Sequence, residues 1–165
     1  MKPLSVPVLL LIGVLAAGLG AVMNDAMASR GMTLPVTGWL TALVLLVLAG
    51  VLLAQGLPLR RWMLENEERR EHPTMAPRRH QVDLPTAYRT VLLARASAYT
   101  GTIVGGFFTG DALYLVLTGT GDLVAAVLPT AAAAVAGIIL AVLGVLVESW
   151  GKLPPEDPQG AQAGL

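Results

Sequence analysis

The sequence contains no cysteine and only two histidines, and charged residues make up just 13% of its 165 positions. Without cysteine the chain forms no disulfide and has no thiolate for metal binding or redox chemistry. Soluble domains carry about 25% charged residues, roughly twice the fraction found here. The 11 basic and 11 acidic residues cancel, so the chain has no excess charge to attract a nucleic acid. These absences exclude a disulfide scaffold, a disordered chain and a free nucleic-acid binder.

Apolar residues are abundant instead, at 55% of the chain. A helix that crosses a bilayer needs about 20 apolar residues, because each residue rises 1.5 Å and the hydrocarbon layer is about 30 Å thick. Four runs of 20 to 25 residues meet this length, and only the third contains an acid, Asp111. None has the polar face of a soluble helix. We therefore predict an all-α integral membrane protein whose four transmembrane helices lie at about residues 4–23, 36–57, 90–117 and 123–148.

The basic residues indicate how these helices are oriented. Ten of the 11 precede the first helix, lie between the apolar cores of the second and third, or follow the fourth, and Arg30 is the exception. Since basic residues near membrane ends stay in the cytoplasm, both termini are expected there. The chain then forms a single membrane domain, an antiparallel up-down bundle with a cytoplasmic loop at 58–89 and a disordered tail at 151–165. The alternative is a signal peptide cleaved after Ala26-Met27-Ala28, which would leave three helices.

Two prolines bear on the helix boundaries. Pro58 is expected to start a short helix in the cytoplasmic loop, where Arg61, Glu65 and Arg69 recur at i,i+4 spacing. Pro129 either kinks the fourth helix or is its first residue, and Asp122 is expected to cap that helix.

The third helix carries the most regular pattern of small residues. Ser97, Gly101, Gly105 and Thr109 recur every fourth position, with Gly106 and Gly110 as a second pair. Small residues at this spacing form a groove in which another helix backbone packs closely, a major source of association in lipid. The groove is filled either within the monomer or by a partner in a homo-oligomer or a complex with another membrane protein.

Three charged residues are candidates for more specific roles. Asp111 lies within the third span, where a carboxylate costs about 2.5–3.5 kcal/mol at the membrane centre, so it is an interfacial structural residue, an ion or proton site, or a contact for a partner. Arg89 and Arg95 lie near the cytoplasmic end of the same helix. They either extend to the headgroup layer or bind an anionic lipid specifically.

Signatures of catalysis are missing from the sequence. His72 and His80 are eight residues apart in a loop and lack the spacing of a metal site. No glycine-rich phosphate loop follows a strand, and no Ser/His/Asp set falls on one membrane face. We therefore expect no enzyme, no metal and no cofactor, but a scaffold or accessory subunit that acts through helix packing. A small transporter or channel component that uses Asp111 is the alternative.

Two stretches resemble a known family. One runs from Val82-Asp83-Leu84-Pro85 through residues 89–98 to Gly101, and the other comprises Glu148 and Leu153-Pro154-Pro155-Glu156-Asp157. Together they are similar to the membrane proteins catalogued as domain of unknown function 3180. The resemblance implies an actinobacterial plasma-membrane protein, often encoded beside folate-biosynthesis genes, and brings no known activity or catalytic residue. The acidic segment 65–71 departs from the family pattern.

Overall fold

The computed structural model describes residues 4–33, 37–71, 84–119 and 122–151, and this part of the chain is almost entirely helical. Each of the four long helices contains a stretch long and apolar enough to cross a membrane, which confirms the all-α class and the number of spans. The elements in chain order are α1 (Val6–Ser29), α2 (Trp39–Glu71), α3 (Leu84–Thr118), a π-helical turn (Leu123–Val127) and α4 (Leu128–Trp150).

Helices α3 and α4 form the centre of the bundle. Helix α1 packs on α3 and α2 packs mainly on α4, whereas α1 and α2 do not contact each other within the described residues. Along the α3–α4 contact, Gly105 meets Gly137 and Ala98 meets Gly144, so these two helices are antiparallel. Helix α1 runs parallel to α3, because residues further along α1 approach residues further along α3.

Local sequence explains the ends of α1 and α4. Gly31 has a φ of +67°, and its N–H and that of Met32 donate to the carbonyls of Ala28 and Met27. This Schellman arrangement satisfies carbonyls that the helix end leaves free, and glycine suits the left-handed position. At the start of the π-helical turn, the Asp122 side chain accepts a hydrogen bond from the Val124 N–H at 2.9 Å, which confirms the predicted cap.

The fourth helix therefore begins in two steps. The π-helical turn follows Asp122, and Pro129 then lies in the first turn of α4, where its missing N–H needs no helical partner. Of the two predicted roles for Pro129, the structure favours a position at the start of the α-helix. The π-helical turn precedes it and lengthens the helical segment.

Two helices run further than the sequence predicted. Helix α2 passes through Pro58 and continues to Glu71, and α3 begins at Leu84, so much of the expected 58–89 loop is helical. The charges after residue 59 mark the end of the apolar stretch and not the end of the helix. Polar residues with i,i+4 pairs continue the same helix into water. The tail beyond Gly151 lies outside the described residues.

The packed core is thin and built mostly from small residues. Large apolar side chains cover the outer surfaces of α1 and α2, where Leu11, Val14 and Leu40 are more than half exposed. Such surfaces suit lipid as the solvent, because hydrocarbon tails are as apolar as leucine. The core cluster joins α2, α3 and α4 through Ala42, Leu45, Ala49, Leu52, Ala94, Ala133, Ala136, Leu140 and Val147.

Candidate functional site

The glycines of the predicted groove on α3 lie against α4 of the same chain. A Cβ atom built on Gly101 would stand 2.5 Å from the backbone nitrogen of Ala141 and 2.7 Å from the carbonyl oxygen of Gly137. One built on Gly105 would stand 2.9 Å from the nitrogen of Ile138. No side chain fits at these distances, so the two backbones are in direct contact. The groove is thus filled within the chain at these two positions.

The other two members of the pattern lie away from this contact. Ser97 is half-buried, and Thr109 is exposed with its hydroxyl donating to the carbonyl oxygen of Gly105 at 2.6 Å.

The second glycine pair packs against a different helix, α1. A Cβ on Gly106 would lie 2.5 Å from the carbonyl oxygen of Gly13, and one on Gly110 would collide with the carbonyl oxygen of Ala17. Helix α3 therefore meets α4 with one row of small residues and α1 with the other.

Asp111 forms a buried side-chain pair with Asn24 of α1. The Asn24 carboxamide nitrogen donates to one carboxylate oxygen, and both residues are only 3–4% exposed. The pair lies beside a close α1–α3 approach, since a Cβ on Gly20 would collide with the carbonyl oxygen of Phe107 and lie 3.3 Å from the nitrogen of Asp111. Asp111 is seven residues before the end of α3, about 10 Å along the axis. The Asp111 carboxylate is therefore buried between α1 and α3.

A second polar cluster joins three segments at the opposite end of the bundle. The Arg95 guanidinium donates to the Glu148 carboxylate at 2.8 and 3.1 Å, and the backbone N–H of Leu4 donates to the same oxygen at 3.2 Å. The Glu148 side chain is 5% exposed and that of Arg95 is 26% exposed. We call this set the Arg95–Glu148 cluster. It connects the chain before α1 with α3 and α4.

The remaining predicted residues are more peripheral. Arg89 is exposed and lies six residues before Arg95 on α3. At the same end of the bundle the Arg60 guanidinium carbon lies 5.6 Å from the centre of the Trp150 ring, a cation–π distance that ties α2 to α4. His72 and His80 lie outside the described residues. Within the described ranges, no three His, Asp or Glu side chains come together as metal ligands.

Sequence reasoning did not identify Asn24 as the partner of Asp111 or Glu148 as the partner of Arg95. A usable signal existed for the second pair. Both residues lie at the cytoplasmic ends predicted for helices three and four, which a five-residue connection makes antiparallel neighbours. For Asn24 the sequence placed the first helix end near residue 23, so the residue was assigned to a loop.

Comparison with known proteins gave a family match. The model of a family described as "Protein of unknown function (DUF3180)" matches residues 9–155. No curated protein and no solved structure gave a match. The matched region includes nearly all of the four helices and both polar clusters. The chain is therefore a member of the DUF3180 family, as the stretches at 82–101 and 148–157 had indicated.

Proposed function

We propose that this multi-pass membrane protein is a non-enzymatic scaffold or accessory subunit that associates with a second copy or another membrane protein through its helices. We place it in the plasma membrane with both termini in the cytoplasm, which the concentration of basic residues supports. The end of the bundle that holds the Arg95–Glu148 cluster would then face the cytoplasm.

The observation that carries this proposal is an unfilled glycine on α2. The small residues on facing surfaces of α1, α3 and α4 lie against neighbouring backbones, but Gly50 has no atom within 4 Å of the position of a Cβ. Gly18 of α1 is equally open, but neither residue four positions away from it is small. A glycine inside a helix costs about 1 kcal/mol relative to alanine, and here no intrachain contact offsets that cost. Ala54 follows one turn later and is also exposed. A small pair at i,i+4 suits close approach of a further helix.

The partner surface therefore differs from the one expected from the sequence. Gly101 and Gly105 contact α4, so a partner reaching them would have to displace that helix. The Gly50/Ala54 surface is an exposed apolar side of α2. Leu43, Val47 and Val51 border it and are about half exposed. A partner helix can replace lipid at this surface without any change in how the four helices pack.

Cysteine crosslinking tests this surface directly, because the natural chain has no cysteine. The variant Ala54→Cys should give a discrete crosslinked species in native membranes, either with a second copy or with a partner. Val8→Cys, on an exposed part of α1, is the matched control and should give none. Adding Gly50→Leu to the Ala54→Cys variant should reduce crosslinking about tenfold, whereas adding Gly50→Ala should preserve most of it. Equal crosslinking at Val8 and Ala54, or indifference to Gly50→Leu, would contradict the proposal.

A transporter that uses Asp111 is the second candidate, because a carboxylate in a membrane span is expensive and is often functional. The pairing of Asp111 with Asn24 inside a close α1–α3 contact favours a structural role over a passage for ions. Reconstituted protein decides between them: Asp111→Asn should abolish a measured proton or cation flux if transport is its function. Identical fluxes for liposomes with the natural chain and empty liposomes would dismiss this candidate.

A further inference from the structure

Helices α1 and α4 both pack on α3 but leave a slot between them. The slot has a volume of about 530 Å³ and opens sideways from the bundle. Thr102, Gly106 and Thr109 of α3 form its floor. The α1 wall extends from Val6 to Ala17, and the α4 wall extends from Ile138 to Leu146. This volume is within the range of about 300–1,000 Å³ for sites that hold small molecules.

The slot offers nothing to a polar ligand. Its walls consist of aliphatic side chains and glycine. The two threonines on its floor use their hydroxyls internally, since Thr102 donates to the carbonyl oxygen of Ala98 at 2.8 Å and Thr109 donates to that of Gly105. Burying an unpaired polar group there would cost several kcal/mol. Whatever occupies the slot must therefore be apolar along this length.

The dimensions of the slot suit a lipid acyl chain. From Val6 to Ala17 is 11 residues, about 16 Å along α1. Half of the hydrocarbon layer is about 15 Å thick, so the slot is as long as one leaflet is deep. One lipid acyl chain is narrow enough and of suitable length.

Charge is located at one end of this slot. Arg95 precedes Thr102 by seven residues, so it lies on the same face of α3, about 10 Å beyond the floor. Its guanidinium carries five N–H donors in a planar fork that suits a phosphate. The side chain is 26% exposed while it is paired with Glu148. Val6 and Leu146 lie at this same end of the slot.

We propose that the slot binds one anionic phospholipid of the leaflet at the Arg95 end, with one acyl chain between α1 and α4 and its phosphate near Arg95. The chain fills the space that α1 and α4 leave over the floor of α3, and the headgroup stays at the membrane surface. The lipid would be a structural part of the bundle. This inference stands independently of the proposed function, because the slot is lined by α1, α3 and α4 and does not include Gly50 of α2.

Photolabelling with phosphatidylglycerol in nanodiscs tests both the site and the orientation. A diazirine at the end of the acyl chain should attach to Ala17 and Thr109, deep in the slot. A diazirine next to the ester should attach instead to Val6 and Leu146. Labelling should saturate at about one lipid per chain, and unlabelled phosphatidylcholine should compete at least threefold less well than phosphatidylglycerol.

Matched variants separate this site from the general lipid shell. Ala141→Phe fills the slot and should lower labelling at least fivefold, whereas Val44→Phe on an exposed face of α2 should leave it unchanged. Val142→Phe, at the exposed edge of the slot, gives the same test with less strain on the fold. The proposal is overturned if labels spread evenly over all lipid-facing residues, if the two diazirines label in the reverse order, or if phosphatidylcholine competes equally. Crosslinks to a second protein chain in the slot would also overturn it.

Discussion

Helices α2 and α3 are attached to the same neighbour, α4, in two different ways. Helix α3 places Gly101 and Gly105 against the α4 backbone with no side chain between them. Helix α2 instead packs with leucines, and Leu45 and Leu52 are almost completely buried in the core cluster. Backbone contact leaves no room to adjust, whereas flexible side chains repack around a change. The two interfaces should therefore respond very differently to substitutions of similar size.

The largest effect is expected for Gly101→Leu. The new side chain would have to displace the backbone of Ala141, so the free energy of unfolding should fall by about 3 kcal/mol or more. Leu52→Phe also enlarges a side chain, on the α2 side where leucine neighbours can repack, and should cost about 1–2 kcal/mol. Reversible unfolding in mixed detergent micelles or by steric trapping measures both. Similar losses for the two variants would remove the distinction between the interfaces.

An intermediate effect is expected for Glu148→Gln, at the end of the α3–α4 contact. The neutral amide leaves the Arg95 charge without its carboxylate, so the free energy of unfolding should fall by about 2–3 kcal/mol. The double variant Arg95→Met/Glu148→Met removes both charges and should recover more than half of that loss. The same unfolding assay applies. A double variant no more stable than Glu148→Gln would show that the ion pair does not act as a unit.

The smallest effect is expected for Asn24→Leu, in the α1–α3 contact. The substitution keeps the side-chain size but removes the hydrogen bond to Asp111, and such bonds within membranes are worth about 0.6 kcal/mol on average and up to about 1.7. A loss of about 1 kcal/mol is therefore expected. Asp111→Asn keeps a carbonyl acceptor for Asn24 and should remain close to the natural protein. A greater loss for Asp111→Asn than for Asn24→Leu would assign the carboxylate a role beyond this bond.

Sequence reasoning was most successful for features that depend on one segment. Each span is visible as an apolar run, the third with Asp111 inside it, and the cap at Asp122 depends only on neighbouring residues. It was less successful at the helix ends near the water. The predicted break at Pro58 is absent because a helix leaving the membrane can continue with polar residues.

The small residues of α3 illustrate a partial success. Their spacing predicted close contact with another helix, which Gly101 and Gly105 make, but it left open whether that helix belonged to the same chain. Two rows of glycine lie on α3, and only the positions of α4 and α1 reveal that each row has its own neighbour. Likewise, only the tertiary structure shows that Gly50 on α2, unlike these glycines of α3, has no atom close to the position of a Cβ.

The amino-acid sequence by itself determined that the helices of this protein suit a lipid membrane, and how many of them are long enough to span it. Run length and hydrophobicity are properties of each segment taken alone. Only the tertiary structure decided that Asn24 meets Asp111, that Arg95 meets Glu148 and that a slot stays open between α1 and α4. These features depend on the depth and rotation of two or three helices relative to one another. Residues far apart in the chain set those relations together, through side-chain and backbone contacts that no single helix contains.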